Sequence, residues 1–152
     1  MNRSEIFNAI ETYLTHKINL LQQDITDLAV DLAGDTKSSA GDKFETAREM
    51  SQQEISKLTQ QVNEQKKWLS LTKSYATATN FVQVQAGCIV KTSMGNFVVG
   101  LPLGKIDELP TYYCIGNTAP LAQVLLNKQV SDSLQFNGKT IAIAAILQRC
   151  KD

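Results

Sequence analysis

The sequence predicts an α+β protein, in which a long helical hairpin precedes a small antiparallel-sheet domain with one short helix. Apolar residues recur at helical spacing through the first half of the chain, whereas from about residue 81 they alternate or form short runs. We therefore expect an antiparallel coiled-coil hairpin over 1–75 and an α+β domain over 81–152. The residues near 70–80 are predicted to link the two parts.

The hairpin is predicted from two apolar stripes of equal length. Steps of three or four residues place each stripe on one face of a helix roughly 40 Å long. The first stripe consists of Ile6, Ile10, Leu14, Ile18, Leu21, Ile25, Leu28 and Leu32. The second consists of Phe44, Ala47, Ile55, Leu58, Val62 and Leu69, with Ser51 and Gln65 as polar interruptions. Two such helices bury their stripes most simply against each other. A parallel dimer of long helices is the rival, but Gly34 and Gly41 argue against one continuous rod.

An acidic break separates the two stripes. Residues 24–49 carry seven acids and three bases in a chain whose net charge is zero. Gly34 is typical of a helix end, and Asp42 followed by Glu45 is close to a capping box. We infer an exposed acidic tip between 34 and 43, which bears on partners rather than on the fold.

The second half reads as short strands around one helix. Strand candidates are 81–92, 96–101 and 110–116, with a turn at 93–96. Residues 119–128 have helical spacing, and 132–146 contain two strands around Asn137 and Gly138, a dipeptide typical of hairpin turns. The prediction is four or five antiparallel strands and one helix.

The sequence favours a binding protein over an enzyme. His16 is the single histidine and falls in the first helix, so we expect it to be solvated. The odd cysteine number and the absence of CxxC spacing argue against a zinc site or a disulfide framework. We expect Cys88 and Cys114 to be buried structural thiols. The glycines form neither a phosphate-binding loop nor a dinucleotide fingerprint. We predict no enzymatic activity and no cofactor of the chain's own.

Composition also predicts where the protein works. Basic residues do not form a stripe with interleaved aromatics, so we expect little direct nucleic-acid binding. No apolar run approaches the roughly 18 residues of a membrane span, and the N-terminus has no apolar segment typical of a secretory signal. We therefore expect a cytoplasmic protein that does not bind membranes.

Two motifs resemble the bacterial Gre transcript-cleavage factors and their relatives. The family tip reads roughly G-D-L-K-E-N-A-E-Y and then A-R-E, and this chain has GDTKSSA over 34–40, Phe44, and ARE over 47–49. The family's second motif, S-P-[IL]-[AG]-x-x-[LI]-[IL]-G-K-x-x-G-D-x-V, resembles the stretch from residue 119. The matching residues are Pro120, Leu121, Ala122, Leu125, Leu126, Lys128 and Asp132. Asn127 and Ser131 stand where the family has glycine.

The resemblance implies a function, a fold and a set of site residues. A Gre-like stalk enters the secondary channel of RNA polymerase, and its tip acids help to hold Mg²⁺ at the polymerase active site. Asp35 and Asp42 are the candidate metal contacts, and only within that complex. The small domain is FKBP-like and docks on the channel rim. The residues implied to contact the polymerase are Lys37, Ser38, Ser39, Phe44 and Arg48.

The chain departs from the Gre pattern at the tip. Ser38 stands where the family has an acid, Ser39 where it has asparagine, and two extra residues precede Phe44. Both stimulation of transcript cleavage and simple occupation of the channel therefore stay open. Two other functions are also open: an FKBP-like peptidyl-prolyl isomerase or chaperone, and a coiled-coil scaffold.

Overall fold

The computed structural model describes residues 1–35, 42–78 and 80–148, with side chains for all of these except 34, 35 and 42–45. Within these ranges, two long helices pack together and precede a six-stranded, mostly antiparallel sheet with one short helix. The predicted α+β class is confirmed. The chain divides into two compact units: one combines residues 1–13 with 70–152, and the other comprises 14–69.

The helical hairpin consists of α1 (Arg3–Asp35) and α2 (Asp42–Thr77). The predicted stripe of α1 is confirmed, because its first four members are buried and its last four are half-buried. On α2, Leu58 and Val62 are buried, and so is the polar Gln65. The helices therefore pack through the side chains that the apolar spacing indicates.

Helix α2 continues through the segment that we expected to be a linker. It runs to Thr77, with Thr72 fully buried and Tyr75 half-buried. This stretch contains neither glycine nor proline, so no residue breaks the helix. Its last two turns belong to the same compact unit as the sheet. The linker prediction is therefore wrong over 70–77, where the helix continues and packs in the sheet unit.

The described strands are β1 (Ile89–Thr92), β2 (Gly95–Val99), β3 (Gly104–Ile106), β4 (Leu109–Ile115), β5 (Ser133–Phe136) and β6 (Lys139–Ile146). Their order across the sheet is β3-β4-β2-β1-β6-β5. Neighbouring strands are antiparallel except β2 and β4, which are parallel. Strand β3 lies outside the predicted strands, and the first predicted strand forms only from Ile89 onward.

Two tight turns form within the stretches predicted as turns, and they set the strand register. Residues 93 and 94 connect β1 to β2, with Thr92 paired to Gly95. Asn137 and Gly138 connect β5 to β6 with φ angles of 52° and 78°. Positive φ at both central residues is the type I′ geometry, which matches the twist of the flanking strands.

One face of the sheet is buried, and the other is buried only at β1, β2 and β4, because on β5 and β6 it carries the exposed Ser133, Gln135 and Ala142. One face carries the main core, in which Val90, Phe97 and Val99 pack with residues of helix α3 (Pro120–Leu125). Ile89 and Val98 point to the other face because strand side chains alternate, and both have no exposed surface. The start of α1 and the end of α2 belong to the same compact unit as the sheet.

The helices can be compared in length and hydropathy with a membrane span. In the described ranges, none of them is both long enough and apolar enough to cross a bilayer.

Candidate functional site

The predicted tip lies between the end of α1 and the start of α2. Of the two candidate metal ligands, Asp35 is the last residue of α1 and Asp42 is the first residue of α2. The other tip positions, and the side chains of these two acids, fall outside the described residues. This group comprises Lys37, Ser38, Ser39 and the side chains of Asp35, Asp42, Phe44 and Glu45. Gly34, the predicted helix end, lies within α1, one residue before its last residue. Their metal, capping and polymerase contacts stay predictions.

Arg48 is the predicted polymerase contact whose side chain is described. It is exposed on α2, together with Ala47 and Glu49. The stripe prediction is wrong at Ala47, because a single methyl group gains little free energy from burial. The three residues that match the family's A-R-E thus form an open surface.

An exposed acidic face runs along α1 toward the tip. Asp24, Asp27 and Asp31 are exposed and follow one another at steps of three and four, which places them on one helix face. The Gln23 amide donates to Asp27 Oδ1 over 2.9 Å. Across the described ranges, no cluster of three His, Cys, Asp or Glu side chains could hold a metal ion. These three carboxylates give this part of α1 an exposed negative surface.

The second motif builds helix α3 and its packing. Pro120 occupies the first turn, where its missing N–H leaves no helical bond unmade. Ala122 and Leu125 have no exposed surface, and Leu121 and Leu126 are half-buried against the same core. The apolar positions of this motif therefore have a structural role in this chain.

Asn127 and Ser131 adopt backbone conformations that favour glycine. Their φ angles are 69° and 76°. The Asn127 N–H donates to the carbonyl of Val84 over 2.8 Å, and the Ser131 N–H donates to that of Ile143 over 2.9 Å. These bonds fix the left-handed conformations, which L side chains adopt at a cost. Glycine in the family pattern thus has a physical reason at both positions.

Asp132 closes the turn that follows. Its Oδ2 accepts the Gln129 backbone N–H over 2.7 Å, and its own N–H donates to the Gln129 carbonyl over 3.0 Å. A side-chain acceptor two to four residues from its donor is the usual way in which Asp stabilises a turn. Asp132 is therefore explained by local structure.

A buried arginine joins three segments of the first compact unit, and the sequence analysis did not single it out. Arg3 is 2% exposed and donates from Nη1 to the Gly87 carbonyl over 2.8 Å and from Nη2 to the Tyr75 carbonyl over 2.6 Å. Its guanidinium carbon lies 4.6 Å from the ring centroids of both Phe7 and Phe81. Burial lowers the pKa of Arg3. The one signal in the sequence is Phe7, one helical turn after Arg3.

Gly87 is required where this contact forms. Its φ is 94°, and a Cβ atom there would lie 2.8 Å from the Tyr75 ring. Both the conformation and the lack of space exclude a side chain. The contact also explains why α2 extends as far as Tyr75.

The five aromatic side chains considered for a proline pocket, all of them described, do not converge on one concave surface. Phe81 and Phe97 are 6% exposed and belong to the main core, and Phe136 packs against that core. Tyr112 points to the opposite face from Tyr113, its neighbour in β4, and only Tyr113 is exposed. An isomerase site would need these rings on one concave surface.

The described thiols and the histidine do not form a nucleophile–base pair. Cys88 and Cys114 are buried, as expected, and His16 is exposed in α1. Burial raises the pKa of Cys114 to about 12 and also raises that of Cys88. Both therefore remain thiols at neutral pH, and the thiolate is the reactive form. Cys150 lies outside the described residues.

Comparison with known proteins finds no match to a protein-family model, a curated protein or a solved structure.

Proposed function

We propose that this chain is a Gre-like factor that binds RNA polymerase and modulates elongation with its helical hairpin in the secondary channel. The observation that carries the proposal is the hairpin itself. Helices of 33 and 36 residues pack together, each roughly 50 Å long. The described acids near their connection are exposed. A long, narrow, negatively charged element suits a channel that leads to bound Mg²⁺.

The second motif gives independent support. Its pattern has glycine at two places, and this chain has positive φ at both, in Asn127 and Ser131. Agreement at the level of backbone conformation is harder to reach by chance than agreement of apolar residues. In the proposal, the FKBP-like domain docks the factor on the channel rim, and the protein acts in the cytoplasm.

The proposal gives the tip acids a role toward the polymerase metal. Mg²⁺ keeps much of its water shell and takes one or two protein carboxylates, so Asp35 with Asp42 would complete a site that the polymerase largely supplies. The chain needs no metal of its own. Because Ser38 replaces the family acid, we expect the wild-type protein to occupy the channel with little stimulation of cleavage.

The first test is co-purification with RNA polymerase, followed by transcript-cleavage and elongation assays on backtracked complexes. Asp35→Asn should retain polymerase binding and abolish any effect that the wild-type protein has on backtracked complexes. Asp24→Asn is the matched control, since it removes an exposed α1 carboxylate about 16 Å from Asp35. Ser38→Glu should raise cleavage. Failure of the wild-type chain to bind polymerase would refute the proposal.

Hairpin length provides a second test. Removing residues 22–28 and 49–55 shortens each helix by two turns, roughly 10 Å, and leaves the ends of both helices in place. A channel-entering stalk should then lose its effect on backtracked complexes. If the shortened protein acts like the wild type, the hairpin does not reach the active site.

A further inference from the structure

Strand β5 exposes an unpaired backbone edge. It is the last strand of the sheet and pairs only with β6, through a two-residue turn that makes Phe136 and Lys139 a hydrogen-bonded pair. Hydrogen-bonded and non-hydrogen-bonded pairs alternate in an antiparallel ladder. The N–H and C=O groups of Gln135 and Ser133 therefore point away from β6. In the described part of the chain, these four groups have no partner.

A groove of about 350 Å³ runs beside this edge. One wall is β5, and the other is helix α3 with the residues that follow it. Val124 and Leu126 contribute half-buried apolar surface, and Lys128 contributes an ammonium group. Within the described residues Lys128 forms no ion pair, whereas the nearby Asp132 carboxylate already accepts the Gln129 N–H.

We propose that this groove binds an extended, acidic peptide segment of another protein, which adds to β5 as a seventh strand. The outward groups of Ser133 and Gln135 supply the backbone hydrogen bonds. Alternate side chains of the peptide point toward α3. One of them is apolar and contacts Val124 and Leu126, and a carboxylate two residues away pairs with Lys128. This site lies in the sheet unit and does not depend on the proposed function of the hairpin.

Charge favours such a peptide over a second copy of the chain. Lys128 lies in the groove, and Lys139 is exposed at the far end of the β5–β6 hairpin. Antiparallel pairing of two β5 edges would bring the lysines of both copies together, and like charges at close range oppose association. An acidic peptide instead gains a favourable charge pair with Lys128 in the groove.

The probe is a pool of peptides of about seven residues that alternate apolar and polar residues with aspartate on the apolar face. A matched pool has asparagine in place of aspartate. The aspartate pool should bind the full chain and slow hydrogen exchange at the Ser133 and Gln135 amides. The asparagine pool should bind about tenfold more weakly. If neither pool binds at millimolar concentration, the proposal is wrong.

Two pairs of variants separate edge pairing from other binding. Gln135→Pro removes an outward N–H at a position where an edge strand tolerates proline, and it should abolish binding. Gln135→Ala keeps the N–H and should bind as the wild type does. Lys128→Gln should reduce the preference for aspartate about tenfold, whereas Lys139→Gln should leave it unchanged. Equal binding by Gln135→Pro and Gln135→Ala, with both folded by thermal melting, would overturn the proposal.

The same experiments distinguish an extended peptide from other possible occupants of the β5 edge. Protection of the two amides that grows with protein concentration alone, together with a dimer mass, would assign the edge to a second copy and refute the peptide. Tighter binding of a helical peptide of the same composition would do so as well, because a helix cannot pair with the β5 backbone.

Discussion

Two residues of this protein have properties that are unusual for their residue type: Ser131 in its backbone conformation and Cys114 in its pKa. Each property has a local cause. Ser131 holds a φ of 76° because its N–H is bonded to Ile143. Cys114 is 2% exposed in β4, and this burial raises the pKa of its thiol. The backbone of Ser131 is therefore strained, and the thiol of Cys114 is desolvated. Both effects should be measurable as changes in stability.

Ser131→Gly should stabilise the fold. Glycine adopts a positive φ without the steric cost that serine meets, so the free energy of unfolding should rise by about 0.5–1 kcal/mol. Ser133→Gly is the control, because Ser133 lies in β5, where glycine should lower stability. Urea denaturation of both variants measures the difference. Equal destabilisation by the two changes would mean that Ser131 is not strained.

The stability of the protein should fall at alkaline pH, in part because of Cys114. Its pKa rises from 9.0 to about 12 in the folded state, so the unfolded chain loses this proton first. The contribution is constant below about pH 8, and stability is lost as pH rises from about 9 toward 12. Between pH 9 and 10 the wild type should lose about 1 kcal/mol more than Cys114→Ala. If the free energy of unfolding, measured by urea denaturation, depends on pH in the same way for the wild type and for Cys114→Ala, Cys114 is not responsible for the loss.

At the scale of elements, the hairpin places a polar residue among its buried apolar side chains. Gln65 is 8% exposed, and its buried Oε1 has no hydrogen-bond partner among the residues that the structure describes. A buried polar group without a partner costs stability, although a single polar residue in a seam also restricts the register of the helices. An apolar residue in place of Gln65 would pack more tightly between the helices, but it would specify their register less well.

Gln65→Leu should therefore raise the free energy of unfolding by about 1 kcal/mol. Gln60→Leu is the control, since Gln60 is exposed on the same helix and its replacement should change stability by less than about 0.5 kcal/mol. Thermal or urea denaturation reports both. A loss of stability in Gln65→Leu alone would show that the amide has a partner in solution, such as an ordered water.

At the scale of the whole molecule, chain order and compact units do not coincide. Residues 1–13 belong with 70–152, although more than fifty residues separate them along the chain. Arg3 makes this association specific, since it donates to two backbone carbonyls and lies over two phenyl rings. Arginine suits the site because its planar fork reaches two acceptors at once, which an ammonium group does not.

Arg3→Lys should consequently lower the free energy of unfolding by about 1–3 kcal/mol, although the charge is kept. Arg48→Lys is the matched control, because Arg48 is exposed on α2 and its change should cost less than about 0.5 kcal/mol. Urea denaturation followed at Trp68 and by far-UV circular dichroism measures both. A cost for Arg3→Lys as small as the control would show that the buried bonds of Arg3 are not required.

The sequence by itself determined the features that depend on local pattern. Helical spacing predicted which face of α1 is buried, and Asn137 with Gly138 predicted the hairpin between β5 and β6. It also indicated the fold class and the acidic tip region, whose side chains fall outside the described residues. These features depend on residues within about four positions of one another along the chain. Such short-range spacing can be read directly from the sequence.

Only the tertiary structure decided the long-range pairings. The parallel pairing of β2 with β4, the short strand β3, the helical state of 70–77 and the contacts of Arg3 with Tyr75 and Gly87 join residues that are distant along the chain. Side-chain spacing reports which face of an element is apolar and carries no information about what covers it. The clearest case is the compact unit of the sheet, which includes residues 1–13 although they are distant from every strand along the chain.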